Sequence, residues 1–311
     1  MKKVSFILAI VAVSLVSCNK EGIQSNKDIE EDVTLKAVID PEFATLVKSD
    51  YAISGSTATF SWTSGDAFRK LVKQYVSGTE LANVTGYYNH YTYTLASISG
   101  TSAEFTGSAV GSNWHDSGFA LFPADLANGA NLTEYSASGY NNLYLQLIET
   151  LIYDAANPLK NVVPMVGKLS GSTYTFKPIV GILAITLNNI PSAANKVTLY
   201  SATKGFSGYS VTLTSKQGTE YQGGINDLIG LDADGLKNSW FTAGTTKSYS
   251  FTAGTLTDAT FYFPAPVGDF SDLQVLVKEG DTVLKTISSS TTITSTRGKI
   301  TRLTAIDCNN F

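Results

Sequence analysis

The residues that could support catalysis or metal binding are few and widely spaced in this 311-residue chain. It has two histidines, His90 and His115, and two cysteines, Cys18 and Cys308. Neither H-E-x-x-H nor C-x-x-C occurs, so the usual zinc spacings are missing. G-x-S-x-G is also missing, so no nucleophile elbow is present. The sequence therefore predicts a protein that is not an enzyme and needs no metal or cofactor.

One segment, GSNWHDSG at residues 111–118, places Trp114 beside His115 in what the glycine and serine content predicts to be a loop. Because an aromatic face can stack on a sugar ring, the Trp-His-Asp cluster at 114–116 could line a sugar site. Trp114 and His115 are therefore candidate glycan contacts. A loop that packs onto its own tryptophan has the same sequence features, so both interpretations stay open.

The start of the chain has the pattern of a secretory signal. Lys2 and Lys3 precede an apolar run at 4–16, which is too short to span a bilayer, since that takes about 20 residues. The run leads into Leu-Val-Ser-Cys at 15–18, which resembles the lipobox of bacterial lipoproteins. The resemblance implies a signal peptide at 1–17 and a lipid, such as palmitate, on Cys18. An ordinary signal peptide with a chance cysteine is the alternative.

Residues 18–32 are polar and rich in charge, and they predict a flexible tether. Asn19 follows the cysteine, where an aspartate would retain a lipoprotein at the inner membrane under the enteric sorting rule. We therefore expect a lipoprotein of the cell outer membrane that is exposed at the surface. Two or three acyl chains would anchor it firmly.

Composition restricts the classes of partner. Charged residues make up 15% of the chain, the net charge is −4, and no basic block occurs. Phosphate contacts need clustered lysine and arginine, so nucleic acid is excluded as a partner. Cys308 has no cysteine to pair with once Cys18 is lipidated. The fold must therefore be stabilised by its hydrophobic core, for which a 43% hydrophobic content suffices.

Most apolar residues alternate with polar ones, as in VTLKAVI at 33–39, and turn residues separate such segments. This pattern predicts an all-β fold of the sandwich type. Residues 272–287 predict two strands around a tight turn with Glu279-Gly280-Asp281 at its tip. One helix is expected at 66–82, where apolar residues recur at helical spacing and Asp66 could cap the first turn. A proline-bearing connection at 154–165 precedes a very apolar strand region. We therefore expect an N-terminal β domain at 33–168 and a C-terminal one at 169–311.

Several short stretches together resemble the Bacteroides-type fimbrillin family. Trp62, Gly65 and Asp66 match the family's strand followed by Trp, a short gap and Gly-Asp. Phe119, Phe122 and Pro123 match its aromatic strand near the end of the first domain. The stretches are ATFSWTSGDAF (58–68), GFALFPADL (118–126), TFKPIVGILAITLNNI followed by KVTLYSATKGFSG (175–208), FYFPAP (261–266) and RGKITRLTAI (297–306).

This resemblance implies two tandem transthyretin-like, or Ig-like, β-sandwich domains. It also implies a structural or accessory subunit of a cell-surface fimbria that is used in adhesion. The implied partners are other fimbrial subunits in a homo- or hetero-polymer, and glycans or proteins of a host or of other microbes. In the family, proteolysis removes the first strand and a neighbour's strand fills the groove. Here that segment would be Val33, Leu35, Ala37 and Ile39.

The chain departs from the family at the maturation site. An arginine-specific protease cuts family pilins, but this sequence has no arginine before Arg69. Lys36 and Lys48 are the nearby basic residues. The departure favours either a different protease or a subunit that keeps its first strand, as an anchor would. The alternative function is an outer-membrane surface lipoprotein that binds glycans.

Overall fold

The computed structural model of the protein describes residues 32–40, 53–54, 57–58, 62–76, 79–80, 88–111, 114–124, 131–135, 140–144, 149–156, 158–159, 163–207, 210–213 and 244–311. The regular secondary structure of these residues is almost entirely β-strand, which confirms the predicted all-β class. A 3-10 helix occupies Cys308–Asn310. No helix in these ranges is both long enough and apolar enough to cross a membrane.

The strands follow the alternating segments of the sequence. Those of the first half are β1 Asp32–Ile39, β2 Ile53–Ser54, β3 Thr57–Ala58, β4 Ala67–Val76, β5 Thr79–Glu80, β6 Tyr88–Ser99, β7 Ser102–Ser108, β8 Trp114–Phe122, β9 Asn131–Tyr135, β10 Tyr140–Tyr144, β11 Thr150–Ile152 and β12 Met165–Ser170. Those of the second half are β13 Thr173–Pro178, β14 Gly181–Asn188, β15 Lys196–Tyr200, β16 Ser210–Leu213, β17 Lys247–Ser250, β18 Ala259–Ala265, β19 Gly268–Phe270, β20 Gln274–Glu279, β21 Thr282–Ser288, β22 Ile293–Ser295, β23 Ile300–Arg302 and β24 Ile306–Asp307.

The first sheet has the order β5-β4-β6-β7-β1-β13-β12-β8, and β4 also pairs with β8. That pairing closes seven strands into a barrel-like sheet. The sequence predicts a sandwich, in which two open sheets face each other, and the closure differs from that expectation. A closed sheet has no free edge between β4 and β8, so their backbone groups are paired within the chain.

The hairpin of β12 and β13 spans residues 168 and 169, where the sequence predicts the domain boundary. Its second strand pairs with β1 as well as with β12. The first sheet therefore takes a strand from the chain beyond that point, and the two-domain division stays a prediction.

The later strands form two further main sheets. One has the order β11-β17-β15-β20-β21, and the other has the order β18-β14-β23 with β24 also paired to β14. The hairpin of β20 and β21 turns at Gly280, whose φ of +57° is a left-handed conformation that favours glycine. This confirms the turn that the sequence predicts at Glu279–Asp281.

Aromatic side chains fill the barrel. Trp62 packs edge-on against Phe105, Phe122 and Phe176, with ring centroids 5.0, 5.3 and 5.9 Å away. Such arrangements add to the apolar area that each ring buries. Trp62 and Phe122, two of the residues that carry the family resemblance, therefore lie in this core.

The helix predicted at 66–82 is wrong, because β4 occupies Ala67–Val76. Phe68, Lys70 and Val72 share one face at the two-residue period of a strand and are all buried, and Leu71 on the opposite face is buried as well. A lysine at a buried position hid this alternation in the sequence. Asp66 does accept a backbone N–H, but from Thr63 in a turn, at 2.8 Å.

Candidate functional site

The candidate site is the position of β1, which lies between β7 and β13 inside the first sheet. β1 pairs antiparallel with β7 over seven residues, from Asp32 opposite Ser108 to Val38 opposite Ser102. It pairs parallel with β13 over four, from Lys36 beside Thr173 to Ile39 beside Phe176. The first described strand is therefore a middle strand of the sheet, not an edge strand.

The side chains of β1 alternate between solvent and core, as the sequence predicts. Leu35, Ala37 and Ile39 are buried, Val33 is half-buried, and Lys36 between them is exposed. We call the position that β1 occupies between β7 and β13 the groove. It buries every second side chain of the strand that fills it.

Each buried residue of β1 has a defined neighbour across the ladder. Leu35 lies opposite Phe105, and Ile39 lies beside Phe176. Ala37 lies between Ala103 and Tyr174 and has no exposed surface. The groove therefore takes a large, a small and a large side chain in succession.

An ion pair lies at the end of the groove. Asp40 follows the last residue of β1, and its backbone N–H donates to the carbonyl of Phe176 at 2.9 Å. Its Oδ2 lies 3.0 Å from Nζ of Lys177, whose side chain is 6% exposed. The backbone bond continues the ladder by one residue and so fixes the carboxylate beside the ammonium.

A second polar cluster lies on the wall of the groove. The Tyr174 hydroxyl donates to Oδ1 of Asp116 at 2.9 Å, and Lys70 Nζ lies 2.8 Å from Oδ2 of the same carboxylate. Burial, followed by the charge of Asp116, raises the pKa of Tyr174 above its ordinary range. The phenol therefore stays protonated and holds its ring in place beside Ala37.

A neighbouring tyrosine is held in a similar way. Burial, together with the nearby Asp116 carboxylate, raises the pKa of Tyr93 to about 12, and its hydroxyl donates to the carbonyl of Ser108 at 3.0 Å. Ser108 is the β7 residue opposite Asp32. The buried hydroxyls of Tyr93 and Tyr174 thus fix walls of the groove rather than take part in chemistry.

Trp114 and His115 lie at the start of β8 rather than in the predicted loop. They pair in register with Gln74 and Lys73 of β4, so this strand pair closes the sheet. Asp116, the third residue of the same cluster, makes the inward contact with Tyr174. Sequence analysis missed that role because the surrounding glycines and serines suggested a loop.

The remaining predicted site residue, Cys18, lies outside the described residues. Within the described ranges, no three His, Cys, Asp or Glu side chains are grouped so that they could hold a metal ion. Sequence analysis also missed Asp40 and Lys177. The acidic residue at the end of the alternating run was the available signal for Asp40, whereas Lys177 carried none.

A separate open cavity of about 570 Å³ lies beside β18. Tyr153, Tyr262, Asp258, Thr186 and Thr260 are among the residues that line it. The two threonine hydroxyls are 2.8 Å apart, and Asp258 Oδ1 accepts the N–H of Asn189. The cavity thus combines aromatic rings, hydroxyls and a carboxylate, and none of the predicted site residues lines it.

No protein-family profile matches the chain, and no curated protein matches its sequence. Among solved structures, a candidate cell adhesion protein from Bacteroides ovatus is 15% identical, with a TM-score of 0.41 over 88% of this chain and 91% of that chain. A candidate cell adhesion protein from Bacteroides fragilis is 10% identical, with a TM-score of 0.34 over the same shares. A fimbrial protein from Bacteroides ovatus is 13% identical, with a TM-score of 0.25 over 79% of this chain and 45% of that one. Likeness at this level assigns neither family nor function to this chain.

Proposed function

We propose that the protein is a structural or accessory subunit of a cell-surface fimbria, assembled by β-strand complementation and used in adhesion. The observation that carries the proposal is the position of β1. This strand, at Asp32–Ile39, fills the middle of a sheet, between two strands that come later in the sequence. A strand supplied by a neighbouring subunit could take the same place.

The driving force for such an exchange is the cost of an open groove. Without β1, backbone groups of β7 and β13 would lose their ladder partners, and the aromatic core would face water around Phe105 and Phe176. An incoming strand restores both the hydrogen bonds and the burial. The groove therefore favours a replacement strand strongly once the original strand has left.

The experiment introduces a protease site between residues 40 and 53 of the full chain, so that cleavage leaves β1 bound without a covalent link. A fluorescent peptide of residues 32–40 is then added in excess. We expect the peptide to replace β1 and its fluorescence anisotropy to rise to that of the whole protein. The uncut chain should take up far less peptide.

A disulfide provides the matched control. Lys36 and Glu104 are exposed partners across the β1–β7 ladder. A disulfide can bridge the distance between two residues that lie directly opposite each other in such a ladder. In the cut protein, oxidised Lys36→Cys/Glu104→Cys should block peptide uptake, and reduction should restore it. The Lys36→Ser/Glu104→Ser protein should exchange freely. If the cut native-sequence protein takes up no peptide, the proposed assembly mechanism is wrong.

The proposal includes the location and the domains expected from sequence. Before the first strand is removed, a lipid on Cys18 would anchor the chain at the outer membrane, with the β-rich part at the cell surface. The partners would be other fimbrial subunits, in a homo- or hetero-polymer. The chain from residue 33 would form two tandem domains of the transthyretin-like class, the first of which has its edge strands β4 and β8 paired.

A second candidate function is glycan binding, which the cavity beside β18 favours. Its volume suits a small ligand. Tyrosine rings can stack on sugars, while Asp258 and the hydroxyls of Thr186 and Thr260 can hydrogen-bond them. A surface lipoprotein with such a cavity could bind glycans of a host or of other microbes.

Titration calorimetry against a panel of polysaccharide fragments tests this second function. Tyr153→Ala should weaken binding at least tenfold, whereas Trp114→Ala should leave it unchanged. The reverse result would move the site to Trp114 and His115. Failure of every fragment to bind would contradict the glycan function and leave the strand-exchange proposal unaffected.

A further inference from the structure

We infer that Lys177 is a specificity-determining residue of the β1 position, and that it selects incoming strands with a carboxylate directly after their last inward-facing residue. The inference rests on the proposed strand exchange and adds the chemistry of the partner. The partner strand would have the pattern large apolar, any residue, small, any residue, large apolar, acidic.

The apolar part of this pattern sets the shape of the groove. Ala37 lies between Ala103 and Tyr174 with no exposed surface. The hydroxyl of Tyr174 donates a hydrogen bond to Asp116. This bond limits how far the ring could move to make room for a larger side chain at position 37. The middle position therefore requires a small residue, with larger apolar residues two positions away on either side.

Apolar alternation alone discriminates poorly, because many β-strands have it. The acidic residue adds a discriminating contact. Lys177 is 4% exposed, and lysine is rarely buried to this extent unless it is paired. Since the backbone N–H of Asp40 continues the ladder to Phe176, a strand in this register would place its next side chain beside the Lys177 ammonium. A neutral or basic residue there would leave that buried ammonium without the carboxylate that lies 3.0 Å from it.

The pattern is rare in this chain. The sequence has it at residues 35–40, Leu-Lys-Ala-Val-Ile-Asp, and at no other position. Ile306 and Asp307 near the end of the chain also join an apolar and an acidic residue, but Thr304 stands where the small residue would be needed and Arg302 where the first apolar one would be. Apart from β1 itself, no segment of a second copy within this sequence has the pattern. The fitting partner is therefore a strand with this pattern from a different subunit.

Competition experiments on the cut full-length chain test the inference. Unlabelled peptides of residues 32–40 compete with the fluorescent one, and they differ in sequence at a single position. Every peptide is amidated at its C-terminus, so that residue 40 carries no carboxylate other than its side chain. We expect Asp40→Asn to bind at least tenfold more weakly than the native peptide. Asp32→Asn, which removes an exposed carboxylate at the other end, should bind within twofold of it.

A variant of the groove gives a second measurement. In the Lys177→Met chain, the native and Asp40→Asn peptides should bind with affinities within twofold of each other. If this variant does not fold, the peptide series on the unaltered groove still decides the question. Equal affinities of the two peptides for the unaltered groove would overturn the inference. A tenfold preference that persists in Lys177→Met would also overturn it, because another group would then recognise the carboxylate.

The outcomes separate this inference from the proposed function. If the native peptide exchanges but the acidic residue has no effect, strand exchange stands and the role of Lys177 falls. If no peptide exchanges, including the native one, the proposed function falls and takes the inference with it.

Discussion

The ammonium of Lys70 lies 2.8 Å from Oδ2 of Asp116, and this ion pair joins the two strands whose pairing closes the first sheet. The side chain of Lys70 is 9% exposed and that of Asp116 is 26% exposed. Asp116 also accepts hydrogen bonds from Tyr174 and from the backbone N–H of Gly118. One carboxylate thus connects β4, β8 and β13.

Asp116→Ala should destabilise the protein by about 3 kcal/mol, because it leaves a buried ammonium and a buried phenol without this acceptor. Urea unfolding measures the change. Lys70→Met combined with Asp116→Ala should recover part of the loss, since the buried charge is then gone. The surface pair of Lys196 and Asp281 is the control, and Asp281→Ala should cost less than about 0.5 kcal/mol. Similar losses for Asp116→Ala and Asp281→Ala would contradict the role given to Asp116.

Ala37→Leu should destabilise the protein by about 2 kcal/mol, because the position has no exposed surface and the adjacent Tyr174 ring is held by a hydrogen bond. Lys36→Leu, one residue away on the exposed face, should change stability by less than about 0.5 kcal/mol. Thermal or urea unfolding of the two variants measures the difference. A tolerated leucine at position 37 would mean that the groove does not require a small residue there.

Lys247 in β17 predicts a specific dependence of stability on pH. It is 1% exposed, and burial lowers its pKa to about 8, an effect that Glu149 partly offsets. Above about pH 8 the folded chain releases this proton while the unfolded chain keeps it up to about pH 10.5. Folding stability should therefore rise with pH in this window.

Between pH 8 and pH 9.5, Lys247 should add about 1.5 kcal/mol to the free energy of unfolding. Unfolding of the native chain and of Lys247→Met across this range isolates this contribution, because the substitution removes only this titrating group. The native chain should gain stability relative to the variant as the pH rises. A difference that stays constant from pH 8 to pH 9.5 would show that the lysine titrates normally.

The sequence predicted the elements whose alternation is regular. The burial pattern of β1 and the turn at Gly280 are both confirmed, because local chemistry determines them. The helix prediction at 66–82 failed at Lys70, whose burial depends on Asp116, far away in the sequence. A buried charged residue is interpreted as a surface residue when its ion-pair partner is not known from the sequence.

The pairings between distant strands could not be predicted from the sequence either. The β4–β8 closure and the parallel pairing of β1 with β13 depend on backbone bonds between distant segments, which leave no local signal. For the same reason, nothing in the sequence indicated a role for Lys177. Asp40 had only the local signal of an acidic residue at the end of an alternating run. The ion pair became evident only when β13 was placed beside β1.

The most direct test of strand replacement is mass spectrometry of the N-terminus of this chain in high-mass assemblies from the surface of the cells that produce it. The proposal predicts that chains in these assemblies begin after Asp40, for example after Lys48, so that another subunit's strand fills the groove. Assembled chains that all begin at lipidated Cys18 and retain residues 33–39 would contradict replacement of the first strand.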